Sequence, residues 1–305
     1  MDGILPLYKP RGMTSRQCDS KVRHILKTRK VGHGGTLDPN VDGVLPICIG
    51  KATKVVDYLV GSGKVYQGEV TLGFATTTED LDGEVIATKA VAAAPSNEVI
   101  DQTLQQFVGT ITQIPPMYSA IKVNGRRLYD YARAGETVER PKRQVTITDF
   151  KRLNEPQYDE QAKTVKFKFE VSCSKGTYVR TLAVDVGVKL GYPAVMSALT
   201  RTYSGGFALA DTISLEALTD LVEKQQSLTV LRPLDYALRH YPAVDLTIEQ
   251  WHQVQNGAFL PAEIFSMVAN EASVAVRFEG SIKALYHQSQ YPNLYKPEKM
   301  FSVEN

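Results

Sequence analysis

Apolar and polar residues alternate without a break over residues 165–173, the run Val-Lys-Phe-Lys-Phe-Glu-Val-Ser-Cys. A period of two belongs to a strand with one buried face and one wet face. The run ends at Ser174-Lys175-Gly176-Thr177, and over 178–190 the spacing turns helical until Gly191 stops it. The same reading predicts a helix over 16–30, with apolar positions at Cys18, Val22, Ile25 and Leu26 and a basic opposite face. Residues 44–49 read as a short buried strand, followed by a helical stretch over 52–60. Residues 65–73 alternate as a strand, 76–84 form a turn rich in Thr and Asp, and 98–108 read as an amphipathic helix ending at Gly109. Past a boundary near Tyr241-Pro242, residues 246–256 are helical. Residues 274–278 and 282–286 then form paired strands joined by Glu279-Gly280-Ser281. This order of elements predicts an α+β protein, with a large unit over 1–241 and a small β-rich unit over 242–305.

Residues 114–142 depart from this pattern. They open on Pro115-Pro116 and hold Gly125-Arg126-Arg127-Leu128-Tyr129-Asp130-Tyr131-Ala132-Arg133, a short helix stopped near Gly135. Leu128 and Ala132 give it only a thin apolar stripe, while its charges face outward on more than one side. Arginines beside tyrosines on a weakly anchored segment suit an insertion that closes over RNA, with Arg126, Arg127 and Arg133 as candidate phosphate contacts. Charge supports that picture. The formal net charge of +2 covers an uneven distribution: 11 Lys and Arg against 5 Asp and Glu over 1–64, 1 against 7 over 65–120, and 9 against 4 over 121–152. Alternating blocks of this kind fit a polyanion gripped by particular elements.

Composition narrows the classes further. A chain of 305 residues, 43% hydrophobic and 22% charged, is an ordinary globular protein with room for one large domain and one small one. No apolar run approaches the ~18 residues of a membrane span. Asp2 and Pro6 occupy positions where an export signal needs a basic patch and an apolar core, so a cytoplasmic location is expected. Cys18, Cys48 and Cys173 are widely separated, form no CxxC pair and share no ligand spacing with the five histidines. They read as reduced thiols, with neither disulfide nor metal expected. Gly50-Lys51 lacks the glycine and hydroxyl of a P-loop, since Leu45 and Ala52 stand there. Gly61-Ser62-Gly63 fails as a dinucleotide loop because Tyr66 replaces the third glycine.

One acid stands apart. Residues 31–46 read Val-Gly-His-Gly-Gly-Thr-Leu-Asp-Pro-Asn-Val-Asp-Gly-Val-Leu-Pro. Gly32, Gly34 and Gly35 allow positive φ and a close approach by another molecule. Pro39 pushes Asp38 toward extended backbone, so its carboxylate is held out and not wound into a helix. Read locally, Asp38 is a turn-capping residue.

Five ordered motifs change that reading. Residues 34–54 resemble the signature of the TruB-type tRNA pseudouridine synthases, in which the aspartate before proline is catalytic. Tyr8-Lys9-Pro10-Arg11-Gly12-Met13-Thr14-Ser15 resembles the family's N-terminal motif, and Lys64-Val65-Tyr66 its active-site tyrosine segment. Pro115-Pro116-Met117-Tyr118-Ser119-Ala120 resembles the entry to its RNA-gripping insertion, and Ser174-Lys175-Gly176-Thr177-Tyr178-Val179-Arg180-Thr181 its arginine motif. Together they cover roughly the first two hundred residues in order, which chance matches do not do. The resemblance implies a largely antiparallel catalytic sheet followed by a small PUA-like RNA-binding domain.

The resemblance also implies roles. Asp38 is the catalytic anion and Arg180 its partner, lowering the carboxylate pKa and fixing its direction. Tyr66 stacks on a flipped uracil, and His33 fills the gap left by that base. Leu199 lines the pocket, and Lys9, Tyr178 and Asp80 belong near it. The substrate is the T arm of tRNA, modified at position 55. The reaction is an isomerisation and calls for no cofactor or metal. No obligatory protein partner is implied, and a monomer is expected. Carboxylate attack and proton abstraction to a glycal both fit these residues. The rival class is an RNA-binding or tRNA-folding protein with incidental catalysis, and intact Asp38, Tyr66 and Arg180 count against it.

Overall fold

The computed structural model describes residues 1–268 and 271–302. A ten-stranded sheet runs in the order Gly3–Lys9, Asp42–Ile49, Ala194–Ser204, Lys64–Leu72, Thr164–Cys173, Arg143–Arg152, Gly109–Gln113, with three short strands attached to its flanks. Its pairings are antiparallel except where Asp42–Ile49 meets Ala194–Ser204, with Thr200 opposite Asp42 and Arg201 opposite Gly43. That parallel contact joins the aspartate loop to a strand about 160 residues later in sequence.

The alternating run is the strand Thr164–Cys173. It buries Val165, Phe167, Phe169, Val171 and Cys173 beneath the helices Asn97–Gln105 and Val179–Leu190. Phe167 is fully buried, so truncation to alanine there costs about 3–5 kcal/mol. Asp42–Ile49 is instead buried at every position after the first, which is why its sequence reads as an unbroken apolar run. One face of this half of the sheet packs on the helices Ser15–Ile25 and Leu215–Glu223.

Several predicted elements shift. Ser15–Ile25 starts at a capping box, with Thr14 accepting from the Gln17 amide and Gln17 accepting from the Thr14 amide. It ends before 30 because Lys27 turns to positive φ. The stretch over 52–60 is a 3-10 turn, Gly50–Val55, running into the α-helix Val56–Gly61. The helix over 98–108 is Asn97–Gln105, capped by Ser96. In the insertion, Arg126–Arg127 pairs with Lys122–Val123 as a small hairpin, and the helix is only Leu128–Arg133. Leu128 is nonetheless fully buried and anchors the segment. Arg143–Arg152 and Ala194–Ser204 are strands that the apolar pattern did not reveal.

A second, five-stranded sheet comprises Ala243–Asp245, Val274–Phe278, Ser281–Gln288, Leu294–Met300 and Leu260–Pro261. The Phe278–Ser281 pair leaves only Glu279 and Gly280 in the hairpin, both at positive φ, the primed turn that matches strand twist. This sheet has its own core around Trp251 and Phe265. A further apolar cluster joins it to the first sheet, with Ile4, Val44 and Leu59 meeting Ala275, Leu285 and Phe301.

Candidate active site

The loop carrying Asp38 is fastened on both sides of the acid. Before it, Gly34 donates its N–H to the Pro46 carbonyl (2.8 Å), and the Leu37 N–H donates to Ser15 Oγ (2.9 Å). After it, the Pro39 carbonyl accepts from Lys9 Nζ (3.0 Å) and from the Gly12 N–H (2.9 Å). Lys9 is fully buried, and burial lowers its pKa. Asp42 anchors the exit, accepting from Thr200 Oγ1 (2.5 Å) and Tyr8 OH (3.0 Å), with Arg11 Nε 3.3 Å away. Burial pushes the Asp42 carboxyl up, but those donors outweigh it and hold the pKa below the ordinary value. Gly43 follows at φ +113, where a Cβ would lie 2.2 Å from the Arg201 carbonyl. Only glycine permits that strand approach.

Held this way, the Asp38 side chain is 45% exposed while Arg180 opposite it is 6% exposed, with Arg180 Nε 3.0 Å from Asp38 Oδ2. Arg180 lies in the first turn of Val179–Leu190, where its charge opposes the helix dipole. Asp38 compensates, Asp80 Oδ2 lies 3.9 Å away, and the two terminal nitrogens donate to the Thr78 carbonyl (2.9 Å) and the Tyr118 carbonyl (3.0 Å). The guanidinium therefore joins three segments far apart in sequence. Asp80 is itself oriented by Thr78 Oγ1 and the Asp82 N–H. Beside it, burial raises the Glu79 pKa against the hydrogen bond from Thr181 Oγ1 (2.7 Å).

Asp38, Tyr66, Tyr178, Arg180 and Leu199 all line one cavity of about 690 Å³. Burial raises the Tyr66 phenol above its ordinary pKa, with the neighbouring Arg201 pulling the other way. An adjoining cavity of about 990 Å³ shares Asp38, Tyr129, Arg180 and Leu199 and adds Asp80 and Arg133. Two expected residues stand elsewhere. Lys9 lies behind the loop, and His33 is held by Asp19 Oδ2 (2.8 Å) and Thr36 Oγ1 (3.0 Å), neither lining these cavities. The three insertion arginines also separate. Arg127 lines the first cavity and Arg133 the second, both beside the Tyr129 ring, whereas Arg126 pairs with Glu136 at 2.8 Å.

Two buried cations had no assigned role in the sequence reading, where Lys64 stood only as part of the tyrosine motif. Arg201 is fully buried and donates to the Val44 carbonyl (2.8 Å) and the Gly35 carbonyl (2.9 Å), and among the described residues its Nη1 has no hydrogen-bond partner. Lys64 donates to the Val60 carbonyl (2.8 Å), and burial pulls its pKa down to about 8. Arg201 follows Leu199 by two positions on one strand and so shares its face, but that strand was not visible in the apolar pattern. Eight of the cavity's lining residues carry charge, and Asp38 is the one acid among them. The cavity thus suits an anionic ligand. The buried thiols of Cys48 and Cys173 are pushed up to about 12 and about 11, far from thiolate chemistry.

A cavity with a single carboxylate, poised against an arginine from the 174–181 motif, sits where the sequence motifs converge. Residues 23–179 match the family model described as TruB family pseudouridylate synthase (N terminal domain). The chain belongs to the TruB family. Residues 180–239 match the tRNA pseudouridylate synthase B C-terminal domain. This TruB chain is 58% identical over 305 residues to tRNA pseudouridine synthase B of Lactiplantibacillus plantarum, covering 99% of each. It is 57% identical to the protein of that name from Limosilactobacillus reuteri, covering 99% of this chain and 100% of the relative. Its fold is similar to a chain of a Cbf5-Nop10-Gar1 complex, with TM-score 0.73 and 27% identity over 98% of this chain and 85% of that one. It is also similar to a chain of an H/ACA RNP bound to a substrate RNA containing 2'-deoxyuridine, with TM-score 0.71 and 26% identity over the same shares. The TruB fold is thus the mixed, antiparallel-rich α+β architecture described above, and the chain's enzyme class is pseudouridine synthase, an isomerase. The two family models meet between Val179 and Arg180, yet the fold does not divide there: Ala194–Ser204 lies in the middle of the first sheet.

Proposed function

We propose that this chain converts one uridine in the T loop of tRNA, at position 55, to pseudouridine, with Asp38 as the catalytic residue. The observation that carries the reading is the Asp38–Arg180 pair at the wall of a cavity that also holds Tyr66 and Leu199. The reaction breaks the C1′–N1 bond of a uridine, turns the ring, and forms C1′–C5; C5 loses a proton and N1 gains one. An anion beside the ribose and C6 is required, and Asp38 supplies it with an open approach. Arg180 aims that carboxylate and excludes it from pairing elsewhere. Tyr66 and Leu199 take the extruded base between an aromatic face and an apolar wall. The Tyr178 ring, under the Arg143 guanidinium at 5.4 Å, closes another side.

The remaining residues act around this centre. Lys9 positions Asp38 through the Pro39 carbonyl. Asp80 steadies Arg180, and His33, at the edge of the loop, enters the T loop where the base has left. Arg127 and Arg133 contact phosphates directly, and Arg126 joins them after release from Glu136. Residues 242–305 form the PUA-like RNA-binding domain. The chain works as a cytoplasmic monomer, with its own 114–142 insertion supplying the grip on RNA. Incubation with uridine-labelled tRNA followed by mapping of pseudouridine tests the reading: product confined to the T loop is expected, and no product, or product elsewhere, overturns it.

A further inference from the structure

A second cavity, of about 350 Å³, lies away from Asp38 between the Val56–Gly61 helix, the turn after Ala194–Ser204 and residues 237–241. We infer that it binds one unpaired nucleotide of the RNA, its base against Tyr58, Tyr203 and Tyr241 and its phosphate on Arg239. The inference rests on the proposed action on RNA.

The walls carry the chemistry for that ligand. Three tyrosines and two basic residues, Arg239 and His240, line the cavity, and no carboxylate does. Tyr58 and Tyr241 meet edge to face at 5.7 Å, which fixes both rings. The Arg239 guanidinium lies 4.0 Å from the centre of the Tyr236 ring, which stacks on Phe207 at 4.5 Å. One of its nitrogens donates to the Tyr236 carbonyl, and among the described residues no acid pairs with it. A Cβ on Gly206 would lie 1.8 Å from Arg239 Nη2, so the glycine, at φ +87, lets the guanidinium rest against the turn. The charge is held by rings and backbone and left uncompensated, a state suited to an incoming phosphate. Glu298, hydrogen-bonded to Tyr58 OH (3.4 Å) and Ser273 Oγ (2.6 Å), is occupied at the Tyr58 side.

Position favours RNA as the occupant. Val60 and Lys64 line the catalytic cavity while Leu59, Ser62 and Gly63 line this one, so a single short segment walls both. A strand placing a uridine at Asp38 brings other nucleotides past the second cavity. Its volume falls in the range of sites for small ligands, and base stacking on aromatic rings needs no particular sequence.

The full chain carrying Arg239→Gln and Tyr203→Leu together is titrated with tRNA at several salt concentrations. Affinity is expected to fall about tenfold, the loss of one stacked base. The slope of log affinity against log salt drops by about 0.7, one single-strand phosphate contact. Turnover at saturating tRNA stays at the parent value, because neither side chain lines the catalytic cavity. Unchanged affinity and slope overturn the inference. If the double variant melts lower, Arg239→Gln alone, on an exposed side chain, repeats the slope measurement under the same criterion. A parent that binds tRNA but forms no pseudouridine overturns the proposed function instead, and the slope comparison still judges this site.

Discussion

Arg180→Met tests how much of the site one side chain organises. The substitution keeps length and apolar bulk but removes the bond to Asp38 at 3.0 Å and those to the Thr78 and Tyr118 carbonyls. Breaking a fully buried ion pair costs about 3–5 kcal/mol, because the surviving charge is stranded. Here the survivor, Asp38, is 45% exposed and rehydrates, so that term shrinks. What remains is two carbonyls without their charged donor, at about 1–3 kcal/mol each where water is kept out. Both Thr78 and Tyr118 border open cavity, so the lower part of that range applies and the total is about 2–3 kcal/mol. At an unfolding entropy of about 2 cal/mol/K per residue, that lowers the melting temperature of a 305-residue chain by roughly 3–5 °C. Differential scanning calorimetry reads the stability, and single-turnover conversion of labelled tRNA reads the chemistry. Turnover should fall at least a hundredfold, because the turn over 76–84, residues 114–142 and the Asp38 carboxylate lose their common anchor. Arg180→Lys restores the charge but not the three-way geometry, and should recover melting more than rate. A methionine variant with parental melting and rate would refute the reasoning, leaving Arg180 a bystander.

Asp38→Asn keeps volume and loses the anion, so isomerisation should vanish while tRNA binding persists; a rate within about tenfold of the parent, ~1.4 kcal/mol of barrier, refutes the catalytic assignment. Tyr66→Leu removes stacking worth ~1–3 kcal/mol and should depress turnover more than affinity, whereas equal loss in both marks a structural tyrosine. Arg127→Gln with Arg133→Gln should flatten the salt dependence of tRNA binding by about 1.4–1.8 units of slope, with Arg126, tied to Glu136, adding less; titrations over a salt series decide. Lys64 has its pKa lowered from 10.5 to about 8, so the unfolded chain binds more protons between those values and stability rises with pH across that window. Lys64→Met should abolish that rise, up to about 3 kcal/mol; parallel pH–stability curves for parent and variant would refute it.

The sequence by itself determined what depends on neighbours along the chain. Thr164–Cys173 was visible because one of its faces is buried and the other wet, and Val179–Leu190 because Gly191 ends it in left-handed conformation. Glycines and a proline shape the Asp38 loop, but locally that acid read as a turn cap, and the ordered motifs singled it out. Arg143–Arg152 escaped notice because Asp149, at a register shift, interrupts its alternation. The helix over 16–30 was drawn too long because apolar spacing does not show the turn at Lys27. Tertiary structure alone decided which groups meet. Lys9 reads as a pocket residue by motif, yet lies behind the loop because Pro39 offers its carbonyl there. Arg201 and Lys64 have backbone carbonyls as their hydrogen-bond partners, and those partners leave no trace in side-chain pattern. The Asp38–Arg180 contact spans residues that no local period connects. It forms because the parallel register of Asp42–Ile49 with Ala194–Ser204 and the docking of Val179–Leu190 on the same sheet bring a loop end and a helix start to one edge. Burying both faces of that sheet sets the register, and the register places the charges.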